Sequence, residues 1–278
     1  MTRQYGFNGA TTGTADLLTD LAVAQQAGFD ALEIRDAKLE AYLAQGGALS
    51  DLVRTFAEAR VLPLSLNALE RSTPSAGPAR QELLERTRTL CRWAAELGIP
   101  YVVAVPGPAD GLDHDQIREA SVEALREIAE IGRDQGVSIG FEFLGPTEYA
   151  VRTIAAAREI VEAVADPAVG MVIDTFHYYV GGSTPEMLRG FDPRRLFIVH
   201  LEDAEDRPRE ALTDAHRLLP GEGVIPLHQL VQALDAIGYD GAYSVELFRP
   251  EYWAWDPLDL ARAARESLDA LFAGIGES

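Results

Sequence analysis

Four apolar runs in the second half of the chain each end on a residue that can bind a cation or carry a proton. They are Ile139-Gly-Phe-Glu142, Val169-Gly-Met-Val-Ile-Asp174, Leu196-Phe-Ile-Val-His200 and Tyr243-Ser-Val-Glu246. A polar side chain delivered by a buried strand is costly unless something pairs with it. One such residue alone would be explained by a salt bridge or a satisfied hydrogen bond. Four at matching ends of successive runs point to a shared partner. Three carboxylates and an imidazole are a hard-to-borderline donor set. They suit one divalent metal ion, Mn²⁺, Zn²⁺, Co²⁺ or Mg²⁺, with positions left for substrate oxygens.

The elements that must position these residues follow a strand-then-helix rhythm, eight times over. Apolar runs begin near Tyr5, Phe29, Val61, Tyr101, Val137, Val169, Leu196 and Ala242. They are continuous rather than alternating, as in a parallel sheet covered on both faces. Between them lie helical stripes, such as Leu83, Thr87, Leu90, Ala94 and Leu97. Asp113 with Gln116 reads as a capping box, and Thr184-Pro185 as a helix start. Residues 175–183 read as an aromatic loop carrying His177, and 202–224 as a long polar loop. A chain of 278 residues with eight such units predicts a single (β/α)8 TIM barrel of the α/β class, near the usual ~250 residues. An open doubly wound sheet is the alternative, but no Gly-x-Gly-x-x-Gly follows the first strand. In such a barrel the chemistry sits at the C-terminal strand ends, where strands five to eight can converge on one point.

Composition excludes several classes. With 24 basic and 44 acidic residues the net charge is −20, which argues against nucleic-acid and anionic membrane surfaces. Cys91 is the single cysteine, which rules out an intramolecular disulfide and fits a reducing cytoplasm. No run of about 18 apolar residues is present, so no membrane span is expected, and Met1 to Phe7 lacks the apolar core of a signal peptide.

Several motifs carry a family likeness: Phe141-Glu-Phe, Asp174-Thr-Phe-His, Val199-His-Leu-Glu-Asp, Pro220-Gly-Glu-Gly and Ser244-Val-Glu-Leu-Phe-Arg-Pro-Glu-Tyr252. With Phe7-Asn8, Glu33-Ile-Arg35, Leu66-Asn-Ala-Leu69, Tyr101 to Pro106 and Leu212-Thr-Asp214, they resemble the xylose isomerase-like barrel superfamily along essentially the whole chain. That superfamily includes ketose 3-epimerases, hydroxypyruvate isomerase, inosose dehydratase and endonuclease IV. The likeness runs closest to the inosose isomerases of inositol catabolism.

The resemblance implies a metal held by Glu142, Asp174, His200 and Glu246. It also implies proton transfer between neighbouring carbons of a small keto-sugar or keto-cyclitol. Glu142 and Glu246 come from opposite flanks of the cluster and are expected to act also as the catalytic acid and base. Candidate substrate contacts are His177 and Glu148, at epimerase-like offsets, together with Glu33, Arg35, Asn67 and Arg249. Glu33 and Arg35 could instead pair with each other. The epimerases place an Arg six residues after the ligand His; here Asp206 stands there, and Arg207, the next residue, is the candidate substrate contact in its place. Arg249, Glu251, Tyr252 and Trp253 could close over a sugar ring or make a subunit contact, and the aromatics of Tyr252-Trp-Ala-Trp255 suggest a possible homodimer. Asp214-Ala-His216 matches a metal pair of endonuclease IV, but histidines after strands two to four are missing. Ketose 3-epimerase, inosose dehydratase and a non-catalytic metal-binding barrel are the competing functions. The loops 70–80, 108–113 and 202–224 would choose among substrates.

Overall fold

The computed structural model describes residues 3–74 and 76–275; Met1, Thr2, Ser75 and residues 276–278 lie outside them. Eight parallel strands close into a barrel: β1 Gln4–Asn8, β2 Ala31–Arg35, β3 Leu62–Leu69, β4 Tyr101–Ala104, β5 Ser138–Glu142, β6 Val169–Asp174, β7 Leu196–His200 and, last, β10 Ala242–Val245. Between β7 and β10 a short antiparallel pair is inserted, β8 Asp203–Ala204 with β9 Arg217–Leu218. The helices are α1 Leu17–Ala27, α2 Asp36–Ala44, α3 Leu49–Ala59, α4 Gly77–Leu97, α5 His114–Asp134, α6 Ile154–Val164, α7 Thr175–Gly181, α8 Leu227–Ile237, α9 Pro250–Trp253 and α10 Pro257–Ile275.

The expected stripe of α4 is buried from Leu83 to Leu97, and Ile154, Ala157, Ile160, Val161 and Val164 line the inner face of α6. Asp113 and Gln116 form the reciprocal capping box at the start of α5. Thr184 makes no side-chain cap, and only a 3-10 turn, Pro185–Leu188, follows it. Apolar side chains from both strand faces fill the ring between sheet and helices and the barrel interior. None of the described helices is long and apolar enough to cross a membrane.

Two segments read as loops are ordered structure. The aromatic stretch after β6 is helix α7. Asp174 caps it by accepting from the His177 N–H at 2.7 Å, and the Glu202 carboxylate accepts from the Phe176 N–H at 2.8 Å. Gly182, at φ +77°, closes its C-terminus in the left-handed conformation that glycine adopts without strain. The polar stretch after β7 folds inward and buries Glu202, Asp203 and Arg217.

Helix α7 packs backbone to backbone on the connection after β5. A Cβ at Gly145 would lie 2.6 Å from the His177 carbonyl oxygen, and one at Gly181 would lie 2.0 Å from the Arg152 carbonyl oxygen. Gly181→Ala is expected to cost about 1–3 kcal/mol of stability by overpacking. A urea midpoint indistinguishable from wild type would show that α7 can move off Arg152 freely.

Candidate active site

The ring order places β5, β6, β7 and β10 side by side. Asp174 pairs in register with His200, and His200 with Ser244, so the side chains at these strand ends share one level or lie two residues above it. Glu142, Asp174, His200 and Glu246 each bring one ligand atom into a buried group whose atoms all lie within 4.8 Å of one another. His200 turns Nδ1 inward, 3.0 Å from Glu142 Oε1 and 3.2 Å from Glu246 Oε2. Among the described residues this is the one group with metal-binding character. Asp214 instead pairs with Arg217 at 2.9 Å, and His216 Nδ1 accepts from the Thr213 N–H, so Asp214-Ala-His216 builds no second centre.

The electrostatics of the two outer carboxylates differ. Burial, helped by Glu246 and Asp174, pushes Glu142 up to about 7 against the pull of His200. Burial would raise Glu246 too, but His200, Arg217 and Arg35 hold it down at about 2. Burial lowers His200, yet the charges of Glu33, Glu246 and Glu142 outweigh it and keep the imidazole well above its usual range. Three carboxylates crowded around one imidazole nitrogen in a buried site are a donor set that a divalent cation fits.

Above the cluster lies a cavity of about 190 Å³, lined by Arg35, Asn67, Glu70, Tyr149, His177, Asp214, Arg217 and Phe248 with the two glutamates and apolar Ala68, Val105 and Leu144. It is small beside the roughly 300–1,000 Å³ of sites for drug-sized ligands. Of the expected substrate contacts, Arg35, Asn67 and His177 line it; Glu33, Glu148, Arg207 and Arg249 do not.

Each displacement has a physical reason. Glu33 and Arg35 point to the same side, but the rise of a strand over two residues sets them at different depths. Glu33, fully buried, takes the His200 Nε2 at 3.2 Å and the Ser65 hydroxyl at 2.6 Å. Arg35, higher up, pairs with Glu246 Oε1 at 3.4 Å. Glu148 is exposed at a turn, where the next residue, Tyr149, faces the cavity. Arg207 is exposed and bonded to Glu205 at 2.6 Å. Arg249 is spent on the Glu205 carboxylate at 2.7 Å and the Ala215 carbonyl at 3.3 Å. Tyr252 is buried with its hydroxyl on Glu222, and the Trp253 indole donates to the Ala10 carbonyl, leaving Trp255, 46% exposed, as the outward aromatic of that run.

Arg217 is the residue that sequence reasoning passed over. It is 1% exposed and follows His200 by seventeen positions, far from the six searched. Its Nη1 donates to Asp174 Oδ2 at 2.6 Å and to the Glu246 carbonyl at 3.1 Å, while Nη2 lies 3.4 Å from His177 Nε2. An arginine only donates, so that nitrogen of His177 carries the lone pair and Nδ1 carries the proton. Nδ1 has no partner among the described residues and belongs to a residue lining the cavity. Pro220-Gly-Glu-Gly, just downstream, was the available signal, since a tight turn there must return the chain toward the barrel.

Glu33 fixes the His200 ring by taking the proton on Nε2, which leaves Nδ1 free as a ligand. Glu33→Gln is expected to weaken divalent-cation binding about 10- to 100-fold in a chelator competition with zinc as the probe. Unchanged affinity would remove Glu33 from any role in preparing the imidazole.

The chain matches the family described as xylose isomerase-like TIM barrel over residues 21–272. It is 37% identical over 268 residues to inosose isomerase of Bacillus velezensis, covering 95% of each chain, and 36% identical over 264 residues to that of Bacillus subtilis, covering 94% of this chain and 95% of the relative. It superposes at TM-score 0.94 on the crystal structure of an IolI protein with a bound zinc atom, at 35% identity over 98% of this chain and 99% of that one. A D-psicose 3-epimerase from Clostridium cellulolyticum shares the fold at TM-score 0.77 and 22% identity, over 98% and 99% of the two chains. With this barrel, this cluster and these likenesses, the chain belongs to the xylose isomerase-like TIM barrel family, in its inosose isomerase group.

Proposed function

We propose that the protein is a metal-dependent inosose isomerase, which moves the ring ketone of 2-keto-myo-inositol to the adjacent carbon through an enediolate. The observation that carries this reading is a pair of unlike carboxylates, Glu142 and Glu246, flanking one imidazole nitrogen at the floor of a cavity sized for a single small ring. The zinc of the IolI relative supports zinc as the first cation to test. Glu142, Asp174, His200 and Glu246 would hold it, and a divalent cation there supplies a Lewis acid that stabilises enediolate charge.

The protein's own groups do the rest. One glutamate removes the C–H proton of the hydroxyl-bearing carbon, and a proton is returned to the former carbonyl carbon. The hydroxyl proton passes to the former carbonyl oxygen, so the ketone and the alcohol exchange places with no net gain or loss of atoms. Glu142 and Glu246 stand at the two ends of the four-strand arc, which suits delivery from opposite sides of a flat intermediate. His177 offers its Nδ1 proton to a substrate oxygen, and Asn67 and Arg35 offer further donors. The cavity sets the carboxylates of Glu70, Glu142, Asp214 and Glu246 against the guanidinium groups of Arg35 and Arg217, a lining with no excess of positive charge, which favours a neutral polyol ketone over a keto acid or a sugar phosphate. Buried, unpaired Cys91 supports a place in a reducing cytoplasm.

The test is NMR of 2-keto-myo-inositol in D₂O with zinc-loaded protein. We expect a shifted ketone with deuterium at the carbon beside it. Glu142→Gln and Glu246→Gln should each abolish the exchange, and chelation should remove it until zinc or manganese is restored. A ketose labelled at C3 in preference to the cyclitol would assign a 3-epimerase, and release of water would assign a dehydratase. No exchange with any of these ketones would leave a binding barrel and defeat the proposal.

A further inference from the structure

Arg217 reaches the site from a connection rather than from a barrel strand, so something must hold that connection in place. Asp203, at its start, is 2% exposed, and no ion pair to it is found among the described residues. Its carboxylate serves the main chain instead. Oδ1 accepts from the Ala204 N–H at 2.9 Å and the Ile225 N–H at 2.8 Å, and Oδ2 accepts from the Gly221 N–H at 3.2 Å. Gly223 sits so close that a Cβ there would lie 2.1 Å from the Ala204 carbonyl oxygen and 2.5 Å from Asp203 Oδ1. One side chain thus ties the first residue of the excursion to the turn that ends it.

The strand between is bound to the same anchor. Asp203 pairs with Leu218 and Ala204 with Arg217. The Val224 N–H adds a bond to the Ala204 carbonyl at 3.1 Å. A buried carboxylate without a cation is an expensive way to close a loop. Its chemical advantage is specific: only an acceptor-only group offers enough lone pairs to take several N–H groups at once. We propose that Asp203 is a positioning residue that acts through Arg217, holding the guanidinium at Asp174, at the Glu246 carbonyl and beside His177. This rests on the reading of Arg217 as part of the reacting cavity.

Asp203→Asn keeps the size but turns one acceptor oxygen into a donor facing main-chain N–H groups. We expect kcat/KM for the inosose to fall about 100-fold, as for a small misplacement at a reacting centre, with zinc content unchanged. Arg217→Lys should also lower it, and the double variant should fall no further than Arg217→Lys alone, because one change acts through the other. Losses that multiply in the double variant, or wild-type kcat/KM in Asp203→Asn, would overturn the proposal. Gly223→Ala opens the same clamp by a different route and should show the same non-additivity; multiplying losses there count equally against it. Amide hydrogen exchange gives a reading free of any substrate. Residues 203–225 should exchange faster in Asp203→Asn and Gly223→Ala but not in Arg217→Lys. Unaltered protection in the first two would overturn the clamp. A wild-type protein that turns over no ketone would instead defeat the functional reading and leave the exchange result standing.

Discussion

The structure is governed by the problem of burying acid. Glu33, Glu142, Asp174, Glu202 and Glu246 are all withdrawn from water at one end of the barrel, and among the described residues His200 and Arg217 are the counter-charges buried with them. Charges so placed persist only when paired and hydrogen-bonded. The protein meets that demand in three ways. Arg217 answers Asp174 directly and lies 3.6 Å from both Glu202 and Glu246. Main-chain N–H groups at the start of α7 answer Asp174 and Glu202. The remaining excess converges on one point, where the carboxylates of Glu142 and Glu246 face His200 Nδ1, and there a divalent cation is the economical partner.

The same arrangement makes the two outer glutamates unequal. Glu246 has Arg35 on one oxygen at 3.4 Å and His200 on the other at 3.2 Å, with Arg217 nearby. Glu142 has, among the described residues, His200 alone. Before any cation binds, the fold therefore holds Glu246 as the more acidic and Glu142 as the less acidic of two carboxylates on opposite flanks of a single cavity. Separating proton affinities by environment is how sites assign different tasks to like residues. Arg35 contributes to that inequality from β2, two strands round the ring from β10, which gives the first half of the chain a part in a cluster built wholly from the second half.

What could be read from the sequence follows the same physics. The barrel and the four converging side chains were legible because buried strands leave unbroken apolar runs, and the polar residue ending each run stands out against them. Helix α7 was not legible. Thr175-Phe-His-Tyr-Tyr-Val180 is β-branched and aromatic, a poor helix former by local propensity. One of its two caps, Glu202, comes from the far side of β7, so no local window contains it. Arg217 was hidden for a related reason. Spacing from His200 carries information only while the chain stays in regular structure, and the inserted β8–β9 pair destroys it. Glu33 and Arg249 were visible as residues but not as partners, because the groups they bind lie 167 and 44 positions away.

In a barrel of this kind the strand ends hold the chemistry and the connections read the substrate. Here the division is incomplete. The connection after β7 supplies Asp214 to the cavity and, through Arg217, touches a candidate metal ligand at 2.6 Å. Glu205 and Arg249 tie it to the connection after β10, as does the Tyr252 hydroxyl on Glu222. A change in either connection that altered substrate shape would also disturb the charge balance on Asp174 and Glu246. Substrate choice in this chain is therefore constrained by the cluster beneath it, and the segments freest to vary are those that line the cavity without touching the carboxylates, around Ala68 to Glu70 and Tyr149.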